Sequence, residues 1–249
     1  MTPTDPVRPR TAMLLAAGLA TRMRPLTDET AKPLLQLAGK ALIDHALDRL
    51  HAVGVERVVV NAHWQADRVA AHLAARAGQP PATILRREAA LLDTGGGTRA
   101  ALDQLGPAPF FVLNGDAFWL DGPSSTLMRL AGAFDPAQHD AVLLLTRSCQ
   151  VHAEIGRGDF MLDPWGLPRR RLPHEVAPYI YAGVQLIAPT LLASMQEGAF
   201  SMNAVWNRAL EQGRMAALVH DGLWFHLSTP ADLAEAEALL AARVTGETR

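Results

Sequence analysis

Apolar positions along this chain fall in short runs that alternate with stretches of helical spacing. Residues 12–16, 57–60, 83–85, 110–113 and 141–145 read as strands. Between the first two, Ile43, Leu47 and Leu50 recur at helical spacing, and Gly54 follows as a stop. Val69, Ala70 and Leu73 repeat the pattern before the third run. Such alternation predicts βαβ units and an α/β fold with a mostly parallel sheet. The run 110–113 is apolar on both faces, as a central strand covered by helices must be, and it ends in Asn114-Gly115-Asp116. Ligands of open α/β sheets sit at the carboxyl ends of strands, which predicts Asp116 beside the loop that follows the first strand.

Residues 147–178 are rich in Gly, Pro, Arg and His and lose the periodicity, which predicts an excursion or substrate lobe. A strand over 179–187 and a helix over 203–212 follow. The last helix is punctuated in the sequence: Thr229 caps, Pro230 takes the first helical position, Asp232 sits in the first turn, and Leu233, Ala236, Leu239 and Leu240 line one face up to Arg243. With no internal repeat or long linker, residues 1–249 are expected to form a single domain. Its parts are a nucleotide-binding part over 11–145 and a sugar-binding part with the final helix over 146–249. Residues 1–10, with three prolines, are expected to be a loose tail.

The 249 residues are 49% hydrophobic with a mean hydropathy of +0.06, enough for a full core. A formal charge of −2 and a pI near 6.5 exclude affinity resting on a broad basic face, so nucleic acid is not an expected partner. Any anionic ligand must be held locally. Cys149 is the sole cysteine and cannot form an intrachain disulfide. No apolar stretch of 18 residues and no signal peptide is present, so a cytoplasmic protein without membrane attachment is expected.

The densest chemistry lies in residues 16–33. Ala16, Ala17, Gly18 and Ala20 allow close backbone approach to a ligand, Arg22 supplies a planar fork for phosphate, and Lys32 supplies a point charge. Neither G-x-x-x-x-G-K-[ST] nor G-x-G-x-x-G is present. Residue chemistry alone leaves two readings open, a polyphosphate cradle or an ordinary turn with surface charges. Arg169, Arg170 and Arg171, flanked by Pro168 and Pro173, read as a solvated charged loop before a phosphate clamp.

The stretch from Leu15-Ala16-Ala17-Gly18 through Arg22-Met23-Arg24-Pro25-Leu26-Thr27 to Lys32-Pro33, with Thr94-Gly95-Gly96-Gly97 and Asn114-Gly115-Asp116, resembles the sugar-1-phosphate nucleotidyltransferases in content and order. The resemblance covers nearly the whole chain. Val60-Asn61-Ala62-His63-Trp64, Asp93-Thr94-Gly95, Gly156-Arg157-Gly158-Asp159-Phe160 and Ala234-Glu235-Ala236-Glu237 are most similar to short bacterial members lacking a C-terminal β-helix, which act on N-acetylmuramate 1-phosphate in cell-wall recycling. The resemblance implies a Rossmann-like three-layer α/β/α fold of the glycosyltransferase-A type. It also implies reaction of a nucleoside triphosphate, UTP first, with a sugar 1-phosphate. Arg22 and Lys32 would be catalytic. Residues 16–21, which are Ala16, Ala17, Gly18, Leu19, Ala20 and Thr21, would bind nucleotide together with Thr94 and Gly95. Asn114, Asp159, Gly183 and Asn203 would face the sugar, and Asp116 would carry Mg²⁺. Guanylyl or cytidylyl transfer to mannose- or heptose-type sugars, and a silent nucleotide-sugar sensor, are the alternatives. Monomer and dimer both remain open.

Two positions depart from the family pattern. Ala20 stands where relatives often carry Gly. In Trp224-Phe225-His226-Leu227-Ser228-Thr229-Pro230, His226 stands where the family shows the Asp that is its second metal ligand. Imidazole is a poor ligand for Mg²⁺ and a better one for softer ions such as Mn²⁺. Either Mg²⁺ is held through Asp116, phosphate and water alone, or His226 coordinates Mn²⁺ or another ion, or catalysis is impaired.

Overall fold

The computed structural model describes residues 7–151 and 156–245. Strands buried on both faces and helical spacing between them build a layered α/β structure. In the first half the elements are β1 (Thr11–Leu15), β2 (Gln36–Leu37), β3 (Lys40–Ala41), α1 (Leu42–Ala52), β4 (Arg57–Ala62), α2 (Ala66–Ala75), β5 (Ala82–Arg87), α3 (Asp93–Ala100), α4 (Leu102–Leu105), β6 (Phe110–Asn114), β7 (Phe118–Leu120) and α5 (Thr126–Gly132). The second half adds β8 (Ala141–Arg147), β9 (Phe160–Leu162), β10 (Pro168–Arg170), β11 (Tyr179–Ile187), α6 (Pro189–Ala193), α7 (Met202–Glu211), β12 (Met215–Val219), β13 (Leu223–Phe225) and α8 (Pro230–Thr245).

The main sheet has nine strands. β5, β4, β1 and β6 are parallel neighbours, and β12 runs parallel to β8. β11 joins the two groups antiparallel: residues 184–187 pair with β6, while Tyr179 meets Phe160 of β9 where β6 has already ended. Both faces are covered, as the two-sided apolar runs predict. On β1, Ala12 and Leu14 enter the core beneath α1, α2 and α5, whereas Met13 joins the core beneath α4, α6 and α7. β4 and β6 alternate in the same way.

A third, smaller core lies under the loop between β1 and β2. Met23, Leu35, Leu37, Leu42, Phe118, Phe225, Leu227, Leu233 and Ala236 form it, so the two-stranded sheet of β7 and β13 and the helix α8 support the residues before Lys32. α8 begins with the reciprocal cap expected there: Asp232 Oδ2 accepts the amides of Ser228 and Thr229, and the Asp232 amide donates to Thr229 Oγ1.

Two expectations change. Of the loose tail over 1–10, residues 1–6 lie outside the described residues, but Val7 packs on the core, Pro9 is buried, and the Arg10 carbonyl accepts the amides of Glu56 and Arg57. The excursion is more regular than its lost periodicity suggests: outside residues 152–155, which are not described, it contains the antiparallel pair β9 and β10.

α3 is helical despite three successive glycines because it lies directly on the segment before α7. A Cβ on Gly96 would stand 2.2 Å from the Gly198 carbonyl oxygen. Gly96→Ala is therefore expected to destabilise the protein by about 1–3 kcal/mol, the overpacking cost exceeding the gain in helix propensity. In thermal unfolding this appears as a Tm lower by several degrees, and an unchanged Tm would refute the tight contact.

Candidate active site

The carboxyl ends of β1 and β6 meet through one hydrogen bond, from the Gly115 amide to the Leu15 carbonyl at 2.8 Å. A side chain at 115 would put Cβ 2.6 Å from that carbonyl oxygen and 2.9 Å from Pro33 Cγ. Glycine thus lets Asn114-Gly115-Asp116 press against the segment that carries Lys32. Pro33 and Ala31 are buried on either side of Lys32, and Lys32 Nζ forms an ion pair with Asp116 Oδ2. The Lys32 side chain is 13% exposed and Asp116 34%, so the pair sits at the bottom of a cleft that remains open to a ligand.

The cleft has two adjoining chambers. The larger, about 560 Å³, is lined by the β1 loop (Ala16, Ala17, Gly18, Ala20), by Arg22 and Lys32, and by Asn61, Glu88, Asp93 and Thr94 across from them. The smaller, about 250 Å³, is lined by Asp159, Tyr181, Gly183, Trp224, His226 and Ser228 among others. Arg22, Asn114 and Asp116 border both.

The β1 loop has the character of an anion cradle, with one amide already committed. The Ala16 amide donates to Asn61 Oδ1 at 2.9 Å, whereas among the described residues the amides of residues 17–20 have no protein acceptor. Ala20 takes the left-handed conformation at φ 48°, which glycine adopts without steric cost and alanine at about 1–2 kcal/mol. Its carbonyl accepts the Thr27 hydroxyl at 2.9 Å, which helps hold that turn. Met23 is fully buried and anchors the following turn, leaving Arg22 exposed at the cleft.

Gly183, at φ +79°, lies where β11 changes register. A Cβ there would come within 3.2 Å of Asn114 Nδ2, so glycine brings β11 against the cleft wall. Asp159 Oδ2 accepts the Tyr181 amide at 2.9 Å. His226 lies beside Trp224, with ring centroids 5.7 Å apart. Burial, opposed by Asp232 and reinforced by the positive charges of Arg22 and Lys32, pushes its pKa down, so the imidazole is neutral at neutral pH.

Several expected residues stand elsewhere. Leu19, Thr21, Gly95 and Asn203 do not line either chamber. Leu19 and Thr21 face solvent on the rim of the loop. Gly95 is buried against Phe200, whose carbonyl accepts its amide at 3.0 Å. Asn203 turns its Oδ1 to Arg170 Nη2 at 2.7 Å. Thr94 lines the larger chamber, yet its hydroxyl oxygen accepts the Met202 amide at 2.9 Å and so ties α3 to α7. None of the three arginines borders the cleft: Arg169 is exposed, as expected, and pairs with Glu175, whereas the partly buried Arg170 stacks between Phe160 and Trp206 and Arg171 donates to the Gly158 carbonyl.

Two of the lining residues not named as site residues from the sequence are polar and buried. Asn61 and Glu88 are buried and linked at 2.7 Å, and a Cβ on Gly97 would collide with both. Asn61 ends the apolar stretch of β4 and Glu88 directly follows β5, so both stand at carboxyl ends of strands, where polar residues signal a ligand.

Residues 12–241 match the MobA-like NTP transferase domain. The chain belongs to that family. It is 42% identical to the N-acetylmuramate alpha-1-phosphate uridylyltransferase of Caulobacter vibrioides over 94% of this chain and 98% of that protein. The protein of the same description from Neisseria meningitidis serogroup B is 34% identical over 93% and 98%. A mannose-1-phosphate guanylyltransferase catalytic subunit beta of Drosophila pseudoobscura pseudoobscura is 27% identical over 89% of this chain and 60% of its own length. Among solved structures, a putative glucose-1-phosphate thymidylyltransferase from Bacillus anthracis superposes with a TM-score of 0.79 at 18% identity, covering 92% of this chain and 94% of that one. A UDP-glucose pyrophosphorylase complexed with UDP-glucose gives 0.78 at 13%, covering 94% and 99%, so this MobA-like member has the nucleotidyltransferase fold.

Proposed function

We propose that this protein joins UTP to N-acetylmuramate 1-phosphate, giving UDP-N-acetylmuramate and pyrophosphate in cytoplasmic recycling of peptidoglycan. The observation that carries this reading is the Lys32–Asp116 pair at the junction of two chambers that share Arg22, Asn114 and Asp116. Such a junction suits a reaction between two anionic substrates. The 42% identity to a uridylyltransferase along almost the full length of both chains supports the choice of UTP and sugar.

A phosphate oxygen of the sugar 1-phosphate attacks the α-phosphorus of UTP, the bond to the bridging oxygen breaks, and pyrophosphate leaves with the electron pair. Little covalent work falls to the protein, so its residues position the substrates and balance charge. The free amides of residues 17–20 and the Arg22 guanidinium hold the β- and γ-phosphates. Lys32 neutralises the α-phosphate and the incoming phosphate. Thr94, Asn61 and Glu88 shape the nucleotide side, formed by residues 15–116. Asn114, Asp159 and Gly183 border the sugar side.

The donor set fits a divalent ion supplied largely by its substrates. Asp116 is a partly exposed carboxylate in the cleft, and among the described residues no group of three His, Cys, Asp or Glu side chains is placed to hold a metal. Asp116 would hold Mg²⁺, which ordinarily combines one or two carboxylates with phosphate oxygens and water. The ion would supply Lewis-acid stabilisation of phosphate charge. His226 is a neutral imidazole and a candidate second donor only for a softer ion such as Mn²⁺. Among the described residues no helix is long and apolar enough to cross a membrane.

Pyrophosphate release measured with UTP, GTP, CTP and dTTP against a panel of sugar 1-phosphates tests the assignment. UTP with N-acetylmuramate 1-phosphate is expected to give the highest kcat/KM. Preference for GTP or CTP with a neutral sugar would replace the assignment, and tight UDP-sugar binding without turnover would make the protein a sensor.

A further inference from the structure

Tyr181 carries a hydroxyl for which the protein supplies no partner. Its ring packs on Trp206 at a centroid distance of 4.6 Å, and its amide is bonded to Asp159. The hydroxyl oxygen is buried and makes no hydrogen bond. The nearby aromatic donors are not left this way: Trp206 Nε1 donates to Gln185 Oε1 at 2.7 Å and Trp224 Nε1 to the Ala182 carbonyl at 2.9 Å. An unpaired buried donor is costly, and in a native structure it calls for an explanation.

The position of Tyr181 supplies one. It lines the smaller chamber together with Asn114, Asp116, Asp159 and Gly183, and is absent from the lining of the larger one. A phenol keeps its proton at neutral pH, so the hydroxyl is available as a donor. Trp206 holds the ring, so little rotamer freedom is lost when a ligand arrives.

We propose that the Tyr181 hydroxyl donates a hydrogen bond to a phosphate oxygen of the sugar 1-phosphate and is a binding residue of the sugar side. This rests on reading the smaller chamber as the sugar-phosphate chamber. A neutral donor suits an anion brought next to the Asp116 carboxylate, because it adds attraction without competing for the ion pair with Lys32.

Tyr181→Phe in the full-length protein tests the contact while keeping the ring against Trp206. KM for the sugar 1-phosphate is expected to rise about tenfold, KM for UTP to change less than about twofold, and Tm to stay level or rise because an unpartnered buried group is gone. Calorimetric binding of UDP-N-acetylmuramate should weaken about tenfold in the variant, with UTP binding unaffected. An unchanged sugar-phosphate KM and unchanged UDP-sugar affinity would overturn the contact. A parallel loss for both substrates with a lower Tm would overturn it in favour of a purely packing role. If the unaltered protein neither turns over nor binds the UDP-sugar, the functional assignment fails and the contact with it. Binding without turnover removes the transferase reading while the calorimetric comparison still decides on Tyr181.

Discussion

Replacing Lys32 by alanine is expected to lower kcat for pyrophosphate release by about 10²–10³-fold, the cost of losing a preorganised charge at a phosphoryl-transfer centre. Three features make the effect large. The Lys32 side chain is mostly shielded from water, so its charge is weakly screened. Buried Ala31 and Pro33 fix its backbone, and Lys32 stands among the residues lining the chamber that also holds the β1 loop. Asp116, one third exposed, can be rehydrated when its partner is lost, so folding is little affected. Single-turnover measurement with saturating UTP and sugar 1-phosphate reads the chemical step directly. A kcat within about threefold of the unaltered enzyme would refute a catalytic role for Lys32.

Asp116→Asn keeps shape and removes charge, and it is expected to lower kcat by about 10²-fold or more at any attainable Mg²⁺ concentration. The carboxylate has two tasks that an amide performs poorly: it is the cleft's candidate for a hard divalent cation, and it balances Lys32 before substrate arrives. His226→Ala serves as the contrast. With no three-ligand cluster among the described residues, and with imidazole a poor ligand for Mg²⁺, its loss should cost less than about threefold in Mg²⁺. A selective loss with Mn²⁺ would put His226 on the metal. A mild effect of Asp116→Asn would move the metal site elsewhere. Magnesium and manganese titrations of all three proteins, followed by pyrophosphate release, give both answers.

Much of the architecture was legible because burial on a parallel strand is written locally. The two-sided apolar runs at 57–60 and 110–113 match β4 and β6, and the spacing of Ile43, Leu47 and Leu50 matches α1. β9 and β10 were not legible, since Phe160–Leu162 and Pro168–Arg170 are three residues each, and the arginines of β10 read as a solvated loop. What makes them strands is pairing, with Phe160 set against both Arg170 and Tyr179. Asn203 was implied as a sugar-facing residue by the family resemblance alone. Its side chain is instead taken by Arg170, a contact 33 residues away that no local pattern encodes.

By itself the sequence determined the layered α/β class, the strand whose carboxyl end carries Asp116, and the small-residue loop with Arg22 and Lys32. These follow from which side chains avoid water and which backbone segments admit a ligand, and both are properties of neighbouring residues. Only the tertiary structure decided that Lys32 pairs with Asp116, 84 residues away, because that depends on β1 lying beside β6 and on Gly115 tolerating the approach. The same holds for Asn61, Glu88 and Tyr181. Their polar atoms are committed or left free by strands that become neighbours only when the sheet forms.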